Sequence, residues 1–164
     1  MKGISLNLEN RRLIYFAYGM NTNLNAMSYR CPDAILIGKA VIAEQKLIFR
    51  SVADYTHSPN NNLYGVLWSI TQQCENSLDI LEGFPNLYKK ENKICLLVDS
   101  YNSHFSSGIF KTMIYKMNSK AIKYPSSNYL ECLSSGYIAN NLPKSQLKDA
   151  INDININGEK LENY

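Results

Sequence analysis

The chain is poor in several residue types that would declare a function. It has 2 histidines and 4 cysteines in 164 residues. The cysteines Cys31, Cys74, Cys95 and Cys132 are widely and irregularly spaced, with no C-x-x-C pair, and His57 and His104 lie far from them in sequence. No metal-ligand spacing results, and no cofactor or metal is expected. The cysteines read as reduced, mostly buried side chains of a cytoplasmic protein. Arginine is scarce too, at 4 against 13 lysines, and the longest basic runs are the pairs Arg11-Arg12 and Lys89-Lys90. A net charge of +3 without basic stripes or interleaved aromatics argues against nucleic acid as a partner. Apolar runs such as Ala34–Ile37 and Val41–Ala43 fall far short of the roughly 20 residues of a spanning helix, so no membrane partner is expected. Met1–Glu9 lacks the apolar core and cleavage site of a signal peptide.

What is present is an ordinary globular composition, 45% hydrophobic and 19% charged. Asparagine (20) and tyrosine (12) are in excess, a bias shared with AT-rich codons and weak evidence about function. The length favours one domain. Residues 1–11 read as a lead-in, 12–154 as the domain and 155–164 as a polar tail that frays.

Leu13–Tyr18 is a dense apolar run ending at Gly19, the pattern of a buried strand that stops at a turn. Asn21 or Thr22 can cap a short helix through Arg30, which Pro32 ends. Residues 34–43 and 46–52 read as two strands, 54–62 as a polar loop and 63–70 as a strand. Thr71 opens a helix to Glu82, with Gly83 where a C′ glycine belongs and Pro85 beyond it. Strands at 88–101 and 109–116 follow, then a helix over 128–139 capped by Ser126 or Ser127, and a last helix after Pro143. Strands cluster in the middle and helices fall between and after them, so the fold class is α+β, a barrel with flanking helices.

Two places carry chemistry. A strand that ends in glycine at a helix start, here Tyr18-Gly19-Met20-Asn21, exposes backbone N–H groups that attract anions. On the 71–82 helix, Glu82 lies beside the stripe of Cys74, Leu78 and Leu81, with Asp79 at its edge; Ile80 on the far side suggests cover on more than one face. Apolar neighbours and the negative end of the helix dipole both raise the pKa of Glu82, towards general acid–base work near neutral pH.

The Y-F-A-Y-G-x-N turn of Tyr15–Asn21, Arg30-Cys31-Pro32, Gly65-Val66-Leu67-Trp68, the L-D-x-x-E-G element of Leu78–Gly83 with Pro85 and Tyr88, Pro125-Ser126-Ser127-Asn128-Tyr129, Gly136-Tyr137 and Leu142-Pro143 occur in this order over residues 13–150. Together they resemble the γ-glutamylcyclotransferase family. The resemblance implies a compact mixed β-barrel with flanking helices, and an enzyme that cyclises a γ-glutamyl group to 5-oxoproline and releases an amine or amino acid. It assigns the catalytic role to Glu82 and substrate binding to Tyr18, Gly19, Met20, Asn21 and Tyr88. It requires a small γ-glutamyl substrate and no cofactor. Family members often carry serine where this chain has Met20. The other reading is a binding protein of the same fold without turnover; a viral origin is suggested by composition only. The leaving group and the oligomeric state, a homodimer included, stay open.

Of the remaining polar and aromatic candidates, Trp68, Tyr129 and Tyr137 read first as core, although one phenol could border the site. Arg30 reads as a clamp on the fold, Asp79 as a support, and His57 and His104 as loop residues.

Overall fold

A computed structural model describes residues 11–162, with side chains described through Ile156. The expected lead-in therefore lies outside the described residues except for Arg11, as do the last two positions of the expected tail. Five strands close into a barrel in the order β1-β3-β2-β4-β5. They are β1 (Leu13–Ala17), β2 (Ile35–Phe49), β3 (Ala53–Ile70), β4 (Tyr88–Ser100) and β5 (Gly108–Met117). All neighbours are antiparallel except β1 and β5, which meet in parallel at Tyr15↔Met113. Closure leaves the inward faces dry. Phe16, Ile37, Ala40, Leu63, Leu67, Leu97 and Ile114 have no exposed surface, and each large side chain among them stabilises by about 1.5–3 kcal/mol.

The long β2–β3 hairpin corrects the expectation of two short strands and a polar loop at 54–62. Residues 34–43 and 46–52 belong largely to one strand that bends at Glu44, where φ is 57°. Residues 53–70 form one partner strand. The pairing jumps from Ala43↔Asn62 to Gln45↔His57, so Ser58–Asn61 have no partner on β2. The polar stretch was misleading because much of the ribbon's outer face is in water: residues 57–62 are largely exposed while Tyr55 is 1% exposed.

The helices are α1 (Leu24–Arg30), α2 (Gln72–Glu82), α3 (Ser127–Ala139) and α4 (Ser145–Glu162). A single 3-10 turn, Met20–Thr22, precedes α1, and the cap is Asn23, which accepts from the Ala26 N–H, instead of Asn21 or Thr22. Asn21 and Thr22 are instead buried in that turn. The α2 ends match the expectation: the Thr71 side chain accepts from the Cys74 N–H, and Gly83 takes the left-handed C′ conformation at φ 63°. Ser126 caps α3. α4 packs on β2 and runs on to Glu162, past the boundary expected at 154. The four cysteines are free thiols, three of them buried. No helix is long and apolar enough to cross a membrane among the described residues.

Candidate active site

The turn after β1 is held from below. Trp68 Nε1 donates to the Asn21 carbonyl at 3.1 Å, and Asn21 Nδ2 donates to the Tyr15 hydroxyl at 3.0 Å. The Asn140 side-chain amide donates to the Thr22 carbonyl at 2.7 Å, and the Tyr137 hydroxyl donates to the Tyr18 carbonyl at 3.2 Å. The Tyr18 phenol turns inward and donates to the Tyr115 carbonyl at 2.6 Å. The N–H groups of Met20 and Asn21 open a 3-10 turn and have no acceptor within it; that of Met20 lies against the Tyr129 hydroxyl.

Helix α2 is anchored separately. Lys90 Nζ donates to Glu75 at 2.6 Å and to Asp79 at 2.7 Å, and the Tyr115 hydroxyl donates to Asp79 at 2.5 Å. Asp79 therefore supports the helix, with its carboxylate fully used by neighbours. Ile80 is 84% exposed, so α2 buries one face only, contrary to the expected second cover.

Between turn and helix lies a cavity of about 320 Å³, at the small end of the range of about 300–1,000 Å³ common for ligand sites. Tyr18, Gly19, Met20, Asn21, Glu82 and Tyr88, all six residues singled out in the sequence, line it together. The sequence reading missed Tyr15, Tyr115, Val52, Ala53, Leu81 and Leu87 as lining residues. Tyr15 and Tyr115 could have been suspected from the aromatic density of their strands; the aliphatic positions carried no signal.

Two side chains read as structural also face the cavity. Tyr129 accepts the Ala53 N–H at 2.9 Å, so one phenol of α3 borders the site while Tyr137 stays in the core. Arg30 donates to Asn21 Oδ1 at 2.5 Å and lines the cavity, instead of clamping backbone carbonyls. His57 and His104 are exposed and outside it.

The electrostatics are simple. Burial pushes the Glu82 carboxyl up to about 7, opposed by the positive charge of Arg30. Among the described residues its carboxylate makes no hydrogen bond or salt bridge. Burial also raises the phenols: Tyr129 to about 12, and Tyr15, Tyr18, Tyr88 and Tyr115 further. All five are neutral near pH 7 and can act as donors. Glu82 and Arg30 are the two ionisable side chains of opposite charge on this wall of tyrosines. Such a site can move a proton at Glu82 and hold a polar, amino-acid-sized ligand against backbone N–H groups.

The barrel and helices match solved structures. One described as a gamma-glutamyl cyclotransferase is 24% identical with a TM-score of 0.71, over 84% of this chain and 86% of that chain. A Homo sapiens protein described as uncharacterised matches at 24% identity and TM-score 0.71, over 84% of this chain and 85% of its own. YkqA from Bacillus subtilis matches at 18% identity and TM-score 0.67, over 89% of this chain and 55% of that one. In sequence, no curated protein matches. The fold is thus that of the γ-glutamyl cyclotransferases, in agreement with the resemblance carried by the Y-F-A-Y-G-x-N and L-D-x-x-E-G elements. A family model described as the AIG2-like family matches residues 62–149, more than half of the chain, and the protein belongs to that family.

Proposed function

We propose that the protein is a γ-glutamyl cyclotransferase, acting on a small γ-glutamyl amide or amine by intramolecular aminolysis. The observation that carries this reading is Glu82: a half-buried, unpartnered carboxyl raised to about 7 by desolvation, in one cavity with the backbone of the Tyr18–Asn21 turn.

In the substrate, the α-amino nitrogen must attack the γ-carbonyl carbon of its own chain. As an ammonium it has no lone pair to do so. Glu82 takes its proton, and a carboxyl that titrates near 7 is a base at neutral pH yet acidic enough to return the proton. Ring closure forms the new C–N bond and places negative charge on the γ-oxygen, which the backbone N–H groups of the turn stabilise. Glu82 then delivers that proton to the leaving nitrogen as the original C–N bond breaks, and takes the second proton from the ring nitrogen, so that 5-oxoproline and a free amine or amino acid leave and the extra proton passes to the amine or to water. Tyr18, held by the Tyr115 carbonyl, fixes the turn, and Tyr88 forms part of the wall. A small cavity favours the folded substrate conformer, which converts binding into proximity. The chemistry needs no metal or cofactor, and the free thiols suit a reducing cytoplasm.

The test is to incubate the protein with a panel of γ-glutamyl amino acids and γ-glutamyl amines and assay for 5-oxoproline. Product is expected from at least one substrate and is lost in Glu82→Gln. No product from any substrate leaves a ligand-binding protein of the same fold. Product that survives Glu82→Gln keeps the activity and removes the mechanism.

A further inference from the structure

Arg30 has a feature that the proposed proton chemistry does not use. It is the C-terminal residue of α1, half-buried, and it lines the cavity. One guanidinium N–H is engaged by Asn21 Oδ1 at 2.5 Å. Among the described residues no carboxylate pairs with it, whereas Arg50, Lys46, Lys89, Lys90, Lys93 and Lys116 each have an acidic neighbour. A partly desolvated guanidinium with free donors is costly unless an anion completes it. Arg30 is also oriented: Asn21, which holds it, is itself held by Tyr15 and Trp68. Its planar fork suits a carboxylate, which can accept two parallel N–H bonds.

We propose that Arg30 binds the α-carboxylate of the substrate's γ-glutamyl head, so that the site selects an intact α-amino acid end. This rests on the proposed cyclotransferase reading and deepens it. The α-carbon of that head carries a carboxylate and an ammonium side by side. The cavity offers a guanidinium and a carboxyl on its lining, Arg30 and Glu82. Seating the carboxylate on Arg30 brings the ammonium to Glu82. The pairing also frees the backbone N–H groups of the turn for the γ-oxygen. Compounds with an α-amide or no α-carboxyl group are then poor ligands, while the leaving group beyond the γ-carbonyl is read elsewhere.

The test uses two probes, γ-glutamyl ethylamide and its α-carboxamide counterpart, titrated calorimetrically into protein carrying Glu82→Gln, so that neither is consumed. With Arg30 present, the carboxylate probe should bind about 10- to 100-fold tighter, the worth of charge-assisted hydrogen bonds. Adding Arg30→Gln, which keeps a donor for Asn21, should bring the preference near unity by weakening the carboxylate probe alone. Arg30→Lys should restore part of it. The proposal is overturned if the two probes bind alike with Arg30 in place, or if the preference persists in Arg30→Gln. Equal weakening of both probes also overturns it, because Arg30 would then be structural. The probe comparison with Arg30 present needs no change at Arg30, so a variant that folds poorly does not blunt it. A protein that makes no 5-oxoproline but shows the preference loses the cyclotransferase reading and keeps the carboxylate site. One that makes 5-oxoproline without the preference does the reverse.

Discussion

Glu82→Gln should stabilise the fold at pH 8 and leave it nearly unchanged at pH 4. In the unfolded chain Glu82 ionises at its ordinary 4.5, and in the folded protein at about 7. Between those values the folded state binds more protons than the unfolded one, so stability falls as pH rises through that window. Below 4.5 the carboxyl is neutral in both states and contributes nothing. Above 7 it is charged in both, and the folded state bears the cost of ionising it in a half-buried position. That cost is about 3 kcal/mol at about 1.4 kcal/mol for each tenfold change in the proton equilibrium. It is a ceiling, because water in a cavity of about 320 Å³ can resolvate the charge. Glutamine has nearly the same volume and cannot ionise. In urea unfolding, the variant should therefore gain up to about 3 kcal/mol over wild type at pH 8. The melting temperature should rise by several degrees, at about 2–4 °C per kcal/mol for a chain of this size. Other titrating groups are common to both proteins and cancel in the difference. A wild-type-minus-variant difference that is flat with pH would refute the reasoning, as would a variant less stable at pH 8. A flat difference would mean that folding leaves the ionisation of Glu82 unchanged, and a less stable variant that its charged form is stabilised and holds the fold.

The same carboxyl sets the kinetics. If it is the base, kcat/KM rises with pH along a limb with an apparent pKa near 7; a pH profile without that limb removes Glu82 as the titrating base. Met20→Ser tests whether the turn works through its backbone: since no side-chain hydroxyl is required of position 20, kcat/KM should change by less than about tenfold, and a larger gain would show that a hydroxyl belongs there. Gly136→Ala should be damaging despite lying on α3, because a Cβ there would meet Thr22 Oγ1 at 2.5 Å and the Asn23 N–H nitrogen at 2.7 Å. It should cost about 1–3 kcal/mol in denaturant unfolding and displace the 3-10 turn, so unchanged stability would contradict the close packing of α3 on that turn.

What was legible in the sequence was whatever local chemistry decides. Thr71 and Gly83 announce both ends of α2, and Ser126 the start of α3, because capping residues and their partners lie within a few positions of one another. The β4–β5 hairpin shows in its alternation, with Cys95 and Leu97 inside and Ile94, Leu96 and Val98 outside. The β2–β3 ribbon did not show, because its tip at residues 50–52 contains no glycine or proline and its outer face is polar. The bend at Glu44 likewise rests on a left-handed backbone that no neighbouring residue forecasts. The site divides in the same way. Glu82 is legible from its place on α2, and the turn from its glycine. That both face one cavity depends on the barrel bringing β1 beside β5, separated by nearly a hundred residues in Tyr15↔Met113. Arg30 reads locally as a cation that suits the last turn of α1; only the tertiary packing turns it into the cavity.

Tyr115 explains how two separately anchored segments keep one geometry. Its backbone belongs to β5, where its carbonyl accepts the Tyr18 hydroxyl and so holds the turn. Its own phenol donates to Asp79 and so holds α2 one helical turn before Glu82. Its ring meets Tyr15 and Tyr88 edge to face, at 5.9 and 6.5 Å between centroids, and forms part of the cavity wall. A single barrel residue thus fixes the spacing between the backbone that would receive the γ-oxygen and the carboxyl that would move the proton. The connection runs through a strand, not a loop, so its position is set by the ladder to β4 at Lys90↔Tyr115. Lys90, across that ladder, binds the same Asp79. The strand register is therefore part of the site: a slip of one residue would turn Tyr115 away from Tyr18 and Asp79 together and release both halves at once.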